Sequence, residues 1–153
     1  MATFSDAVNA IEARLRDNWS ATPIAFENDN EPETAGPDGK RKPWVLCEVV
    51  TTRSAIKSVG RPGNHITVTN GIVALTLFVP RGGGKTGREQ ARILADDLAD
   101  IFRTVRFHQV EPGVYVQTWT PEIGPGNHAK SENPSGSWWA MSIMTPFEFY
   151  HRA

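Results

Sequence analysis

A single cysteine, Cys47, stands among the 153 residues. That excludes an internal disulfide and any zinc site assembled from several cysteines. Cys47 falls in the apolar run PWVLCEVV, which predicts a packed thiol rather than a nucleophile. No stretch approaches the roughly 18 apolar residues of a membrane span. The opening MATFSDAVNA lacks a charged leader followed by an apolar core, so the expected compartment is a cytoplasm. An excess of charge of one sign is lacking as well: 16 Lys plus Arg face 17 Asp plus Glu. This near-balance gives no support to a nucleic-acid coat or an acidic tail. The G-x-S-x-G elbow of a serine hydrolase is absent, and so is an H-x-x-x-H metal pattern.

What is present is an alternation of helical and strand patterns, over a length that buries a core as one domain, residues 1–153. Phe4, Ala7, Val8, Ile11, Leu15 and Trp19 recur at helical spacing and predict an amphipathic helix over 5–18, with Thr3 or Ser5 as N-cap. TPIAFEN reads as a short strand. The hydrophilic stretch from Glu27 to Pro43 reads as a long exposed loop. WVLCEVVTTR (44–53) is a strand by its β-branched content, and SAIKSVGRPGNH a loop or hairpin tip. Ile66 to Pro80 is a long strand whose second half, apolar on both faces, belongs in the middle of a sheet. Asn70-Gly71 marks a bulge or bend in it.

Ala91, Leu94, Ala95, Leu98, Ile101 and Phe102 form a second helical stripe. Gly113 to Pro121 is a further strand, and EIGPGNHAKSENPSGS a third loop. WWAMSIMTPFEFY closes the chain as a strand with Trp139, Met141, Ile143, Phe147 and Phe149 on one face. Pro146 lacks an N–H, which predicts a bulge or an edge position there. The order predicts an α+β fold: a largely antiparallel or mixed β-sheet, two α-helices packed on one face, and long polar loops.

FVPRGGGKTGREQA (78–91) invites comparison with a Walker A loop, G-x-x-x-x-G-K-[ST], whose amides and lysine hold phosphates. Gly84-Lys85-Thr86 supplies the last three positions, but the first glycine should stand at 79, which is Val79. No apolar run ends in an aspartate placed for the metal. The expectation is a strand-to-helix connection with Thr86 as helix cap, and no nucleotide or other cofactor. PGNH occurs twice, ending in His65 and His128. Pro-Gly is a type II turn pair, so the repeat reads as two turns rather than a metal site. Asp96, Asp97 and Asp100 are expected on a solvated helix face, with Arg92 pairing Asp96. Trp19 and Trp139 fit apolar stripes, leaving Trp44, Trp119 and Trp138 free for a surface. No catalytic set emerges, and the expectation is a protein that is not an enzyme.

Charge is segregated along the chain. Between Asp6 and Asp38 acids dominate, and the loop part holds Glu27, Asp29, Glu31, Glu33 and Asp38. Between Arg53 and Arg92 bases dominate: Arg53, Lys57, Arg61, Arg81, Lys85 and Arg88 lead up to Arg92, with Glu89 the one acid. These acidic and basic residues are the candidate subunit or partner contacts. Either acidic loops of one subunit approach basic loops of the next, or the basic loops line a lumen where DNA passes.

FSDAVNAIEARLRDNWSATPIAFEN, with its W-x-x-T-P-I-A-[FW]-x-N ending, resembles the start of phage tail terminator (tail completion) proteins. The likeness continues through PWVLCEVV, GIVALTLFVPRGGG, the helix ARILADDLADIF and the closing PFEF. The chain departs from that pattern in the acidic loop 27–42 and in the long stretch 122–137. The resemblance implies a lambda-like tail terminator fold and a structural virion protein. Such a protein forms a homohexameric ring on the head-proximal end of the tail tube, assembled in the host cytoplasm. Its implied partners are copies of itself, the tail tube protein and the head completion or connector protein, with DNA passing through the lumen and no membrane. The alternatives are another head–tail joining or baseplate subunit, and a small nucleotide-handling enzyme.

Overall fold

The first helix, α1 (Phe4–Asn18), starts where a reciprocal cap satisfies two of its orphan donors. The Thr3 hydroxyl accepts the Asp6 N–H at 3.3 Å, and the Asp6 carboxylate accepts the Thr3 N–H at 2.7 Å. Those bonds from Thr3 hold the Asp6 carboxyl below its ordinary pKa. The computed structural model describes residues 3–33, 40–58, 64–125 and 138–152. Ala7, Ile11 and Leu15 face inward from α1. Arg14 reaches across to the second helix, α2 (Gly84–Ile101), where its Nε donates to the Ile101 carbonyl at 2.8 Å. The last turn of α2 holds no basic residue, so Arg14 supplies the cation its dipole favours there.

The chain leaves α1 through a short, densely bonded segment. Trp19 is buried, and its indole N–H donates to Thr22 Oγ1 at 2.8 Å. The Pro23 carbonyl accepts the Val45 N–H, which starts β1 (Ile24–Ala25) parallel to β2 (Trp44–Ile56). Arg16 lies over the Phe26 ring at 5.3 Å. Glu27 then takes over from β1: its carboxylate accepts the Val49 N–H at 2.6 Å. Asp29 closes a turn by accepting the Phe26 N–H at 2.9 Å, with Asn28 in the left-handed region at φ 66°.

The sheet is mixed and mostly antiparallel, in an α+β fold. Its order is β1, β2, β3 (Ile66–Pro80), β7 (Trp138–Arg152), β5 (Val114–Thr118), β4 (Arg106–Glu111). β6 (Glu122–Pro125) pairs with β7 further along the line that β5 begins. β3 lies between β2 and β7, as its two apolar faces predict. The bulge sits opposite the expected place: the register shifts between Thr51 and Arg53 of β2, facing Gly71 and Asn70. β4 and β6 were not expected from the sequence, which placed the residues of β6 in a loop.

Pro146 is not at an edge. It sits in β7 with Ile72 of β3 opposite on one side. On the other, its carbonyl accepts the Trp119 N–H at 2.9 Å. In an antiparallel strand a residue's N–H and C=O point the same way. The donor that proline lacks therefore falls where β5 has ended and β6 not yet begun. β5 runs in a register that sets Thr118 opposite Phe147, whereas β6 sets Glu122 opposite Met144, so one extra residue is inserted at this break. The missing N–H is accommodated by interrupting the neighbour.

Both helices cover one face of the sheet. Val45, Cys47, Val73, Leu75, Leu77, Val116, Ile143, Phe147 and Phe149 meet Ile11, Leu15, Ala91, Ala95, Leu98 and Phe102 in one buried cluster. Thr145 lies on this face too, fully buried, and its hydroxyl has no hydrogen-bond partner among the described residues. An unpaired buried hydroxyl costs about 1–3 kcal/mol. Thr145→Val keeps the shape and removes the hydroxyl, so it is expected to raise stability by about 1 kcal/mol. Urea unfolding with a higher midpoint and unchanged slope would show this; a lower midpoint would mean the hydroxyl is satisfied.

Candidate functional site

At one end of the sheet β3 runs into the glycine loop. Gly82 and Gly84 take φ of 96° and 59°, left-handed values that let the chain reverse directly after the strand. The helix therefore begins at Gly84, and Gly83 is its N-cap without a side-chain bond. Thr86 lies inside the first turn and is not the cap. Val79, standing where a Walker A loop has its first glycine, is a buried strand residue on the helix-covered face. Lys85 pairs with Glu89 at 3.9 Å, both side chains well exposed, a contact of little energetic weight. This i, i+4 pair lies about two turns before the expected Arg92–Asp96 pair. A depression of about 180 Å³ runs along the loop between Val79, Arg81, Gly84, Arg88 and Trp139.

The structure divides the basic residues that the sequence lists in one run. Arg53 and Lys57 lie toward the tip of the β2–β3 hairpin, where Lys57 N–H bonds to the Ile66 carbonyl. Arg81, Lys85 and Arg88 lie at the other end of β3. Strand rise sets Arg53, opposite Asn70, roughly 36 Å from Arg81, and Lys57, beside Ile66, roughly 50 Å, at about 3.3 Å per residue. Lys40 and Arg41 join the second group, lining a shallow basin with Arg81, Gly82 and Gly83. The acids divide as well. Glu27 and Asp29 are engaged in bonds to their own chain, and Glu31 and Glu33 are exposed. Asp38, Arg61 and His128 lie outside the described residues. His65 sits beside the Ser58 carbonyl at 3.2 Å.

Cys47 packs in the core at 2% exposure, and burial, with Glu12, Glu27 and Glu48 around it, pushes its thiol up to about 12. Of the tryptophans expected at the surface, Trp119 is there, but Trp44 and Trp138 are not. Trp44 stacks on Phe78 with ring centroids 4.4 Å apart and meets Trp138 edge-on at 6.2 Å. They form a second small cluster with Ala25 and Ala140, on the face away from the helices. Among the described residues, no group of three or more His, Cys, Asp or Glu is arranged to hold a metal ion. Nor is any described helix long and apolar enough to cross a membrane.

No protein-family model and no curated protein matches the chain. A solved structure does match, over 99% of this chain and 99% of its own, with a TM-score of 0.63 at 20% identity. The fold recurs. At that identity the likeness concerns the fold alone.

Proposed function

We propose that the chain is a structural subunit that caps the head-proximal end of a phage tail tube as a homo-oligomeric ring. The cap ends tube polymerisation and presents a surface to the head–tail connector. The observation that carries this reading is that each outer edge of the sheet is blunted over part of its length. On one side β1 covers β2 for only two residues, after which the Glu27 carboxylate occupies the Val49 N–H. On the other, β4 breaks register between Phe107 and Glu111, with His108 in the left-handed region at φ 57°. Short edge strands, a carboxylate on a free donor and a bulge each oppose further strand pairing. A subunit that ends a polymer needs such edges. The N-terminal resemblance supports the same role: Trp19, Thr22 and Pro23 of that motif, with Glu27 at one of its variable positions, build the closure at the start of the β2 edge.

The reading is tested by polymerising purified tube protein in the presence of this chain. Amounts well below one chain per tube subunit are expected to shorten the tubes without changing their diameter. Tube lengths indifferent to the added chain would sink it.

A further inference from the structure

The face of the sheet away from the helices carries an uncovered apolar row. In register, Val50 of β2, Ile72 of β3 and Pro146 of β7 stand side by side, and Trp119 continues the row by its bond to Pro146. Val50 is 50% exposed and Trp119 43%; Met144, two residues along β7, is 39% exposed. Single exposed apolar side chains are ordinary, whereas a contiguous row across four strand lines marks a contact surface.

Charge is ordered about this row. Two residues to one side, the next row runs Glu48, Ala74, Met144, Glu122, with a carboxylate at each end. Two residues to the other side it runs Arg53, Asn70, Glu148, Gln117, Arg106, with a guanidinium at each end. Arg106 lies 4.0 Å from the Tyr115 ring and donates to Gln117, so its charge leans inward over the β5 line. The Glu148 carboxylate accepts the Tyr150 hydroxyl within the same face.

We propose that this face is self-complementary and docks a second copy of the chain about a two-fold axis lying along the apolar row. Rotation about that axis lays row on row and exchanges the two charged sides. Glu48 of each copy then faces Arg53 of the other; Glu122 faces Gln117, over which Arg106 leans, and Met144 faces Glu148. The match works because both charged rows stand two residues from the axis. The strands of the copies run antiparallel within the aligned packing that twisted sheets favour. An axis across the row instead would set arginine on arginine. The footprint, four strand lines by the stretch from Ser142 to Tyr150 on β7, is roughly 500 Å² per copy. About 1,000 Å² in total is the lower bound for a specific interface, so the pairing is reversible. A ring joins two different patches of each subunit. This contact joins one patch to itself, and so stands apart from the proposed ring.

Sedimentation velocity over a concentration series tests it, with the unfolding midpoint as a folding control. Val50→Arg, on the axis, sets a cation against its own copy across the contact and is expected to halve the sedimenting mass, whether dimers part or paired rings separate. Arg53→Glu is expected to weaken association at least tenfold, and the exchange Glu48→Arg with Arg53→Glu to restore most of it, since the swapped columns still match. A wild-type chain that stays monomeric at about 200 μM would overturn the proposal. So would an oligomer unmoved by Val50→Arg, which would leave a ring through other surfaces standing.

Discussion

Gly71→Ala is expected to destabilise the protein by about 3 kcal/mol, the upper end for overpacking a core. A Cβ at Gly71 would lie 2.4 Å from the Val50 carbonyl oxygen and 2.6 Å from the Phe147 ring. Backbone conformation is not the cause, since Gly71 is absent from the positive-φ glycines. The cause is space. Phe147 is the cross-strand partner of Gly71, and its fully buried ring lies against the β3 backbone. On the other side, the β2 bulge between Thr51 and Arg53 leaves the Val50 carbonyl pressed close. Neither obstacle yields cheaply, because one is backbone in a ladder and the other fills the core. In a chain of this length the loss corresponds to about 6–12 °C in Tm. Gly124→Ala is the control: its Cβ would meet only Ser142 Oγ at 3.9 Å, an ordinary contact. Adding Phe147→Leu to Gly71→Ala should recover less than it would in an open site, since the Val50 carbonyl remains. A Gly71→Ala midpoint within about 0.5 kcal/mol of wild type would contradict this packing.

The long elements were legible because each repeats its signal many times. Six apolar positions at helical spacing fix α1, and β3 runs from Ile66 to Pro80 as its β-branched content predicts. β4 escaped notice because Arg106–Glu111 has little apolar alternation, being an edge strand held by backbone pairing with β5. Pro146 does bring a bulge, in the neighbouring strand line rather than in β7 itself. The rule that proline avoids central strands concerns a missing donor, and here the neighbouring strand is broken where that donor would point. Thr86 misled because Gly82 and Gly84 start the helix earlier than any side-chain cap would.

The candidate contacts were less legible than the fold. Charge order along the chain placed Arg53 and Arg81 in one run, but the hairpin register sets Arg53 opposite Asn70, far along β3 from Arg81. Nothing local distinguishes Glu27, which bonds to Val49, from Glu33, which faces solvent. The exposed apolar row was hidden in another way. Val50 and Met144 stand among charged and polar residues in β2 and β7, and only the register of β2, β3 and β7 shows which face has helices over it and which does not.

The proposed capping role predicts that loss of this chain has its largest effect on tail length. A tube grows because each added ring offers the next an unsatisfied surface, so stopping it takes a subunit that fits the end without repeating that surface. Features at the two sheet edges suit such a subunit: β1 and the Glu27 carboxylate occupy the start of the β2 edge, and β4 is short and bulged. Electron microscopy of particles from a phage that carries this gene, with the gene deleted, measures the claim directly. The account predicts overlong or irregular tails detached from heads, and joining restored by added purified protein. Tails of normal length but unattached would favour a head-completion role. Tails of normal length on filled heads would contradict the account.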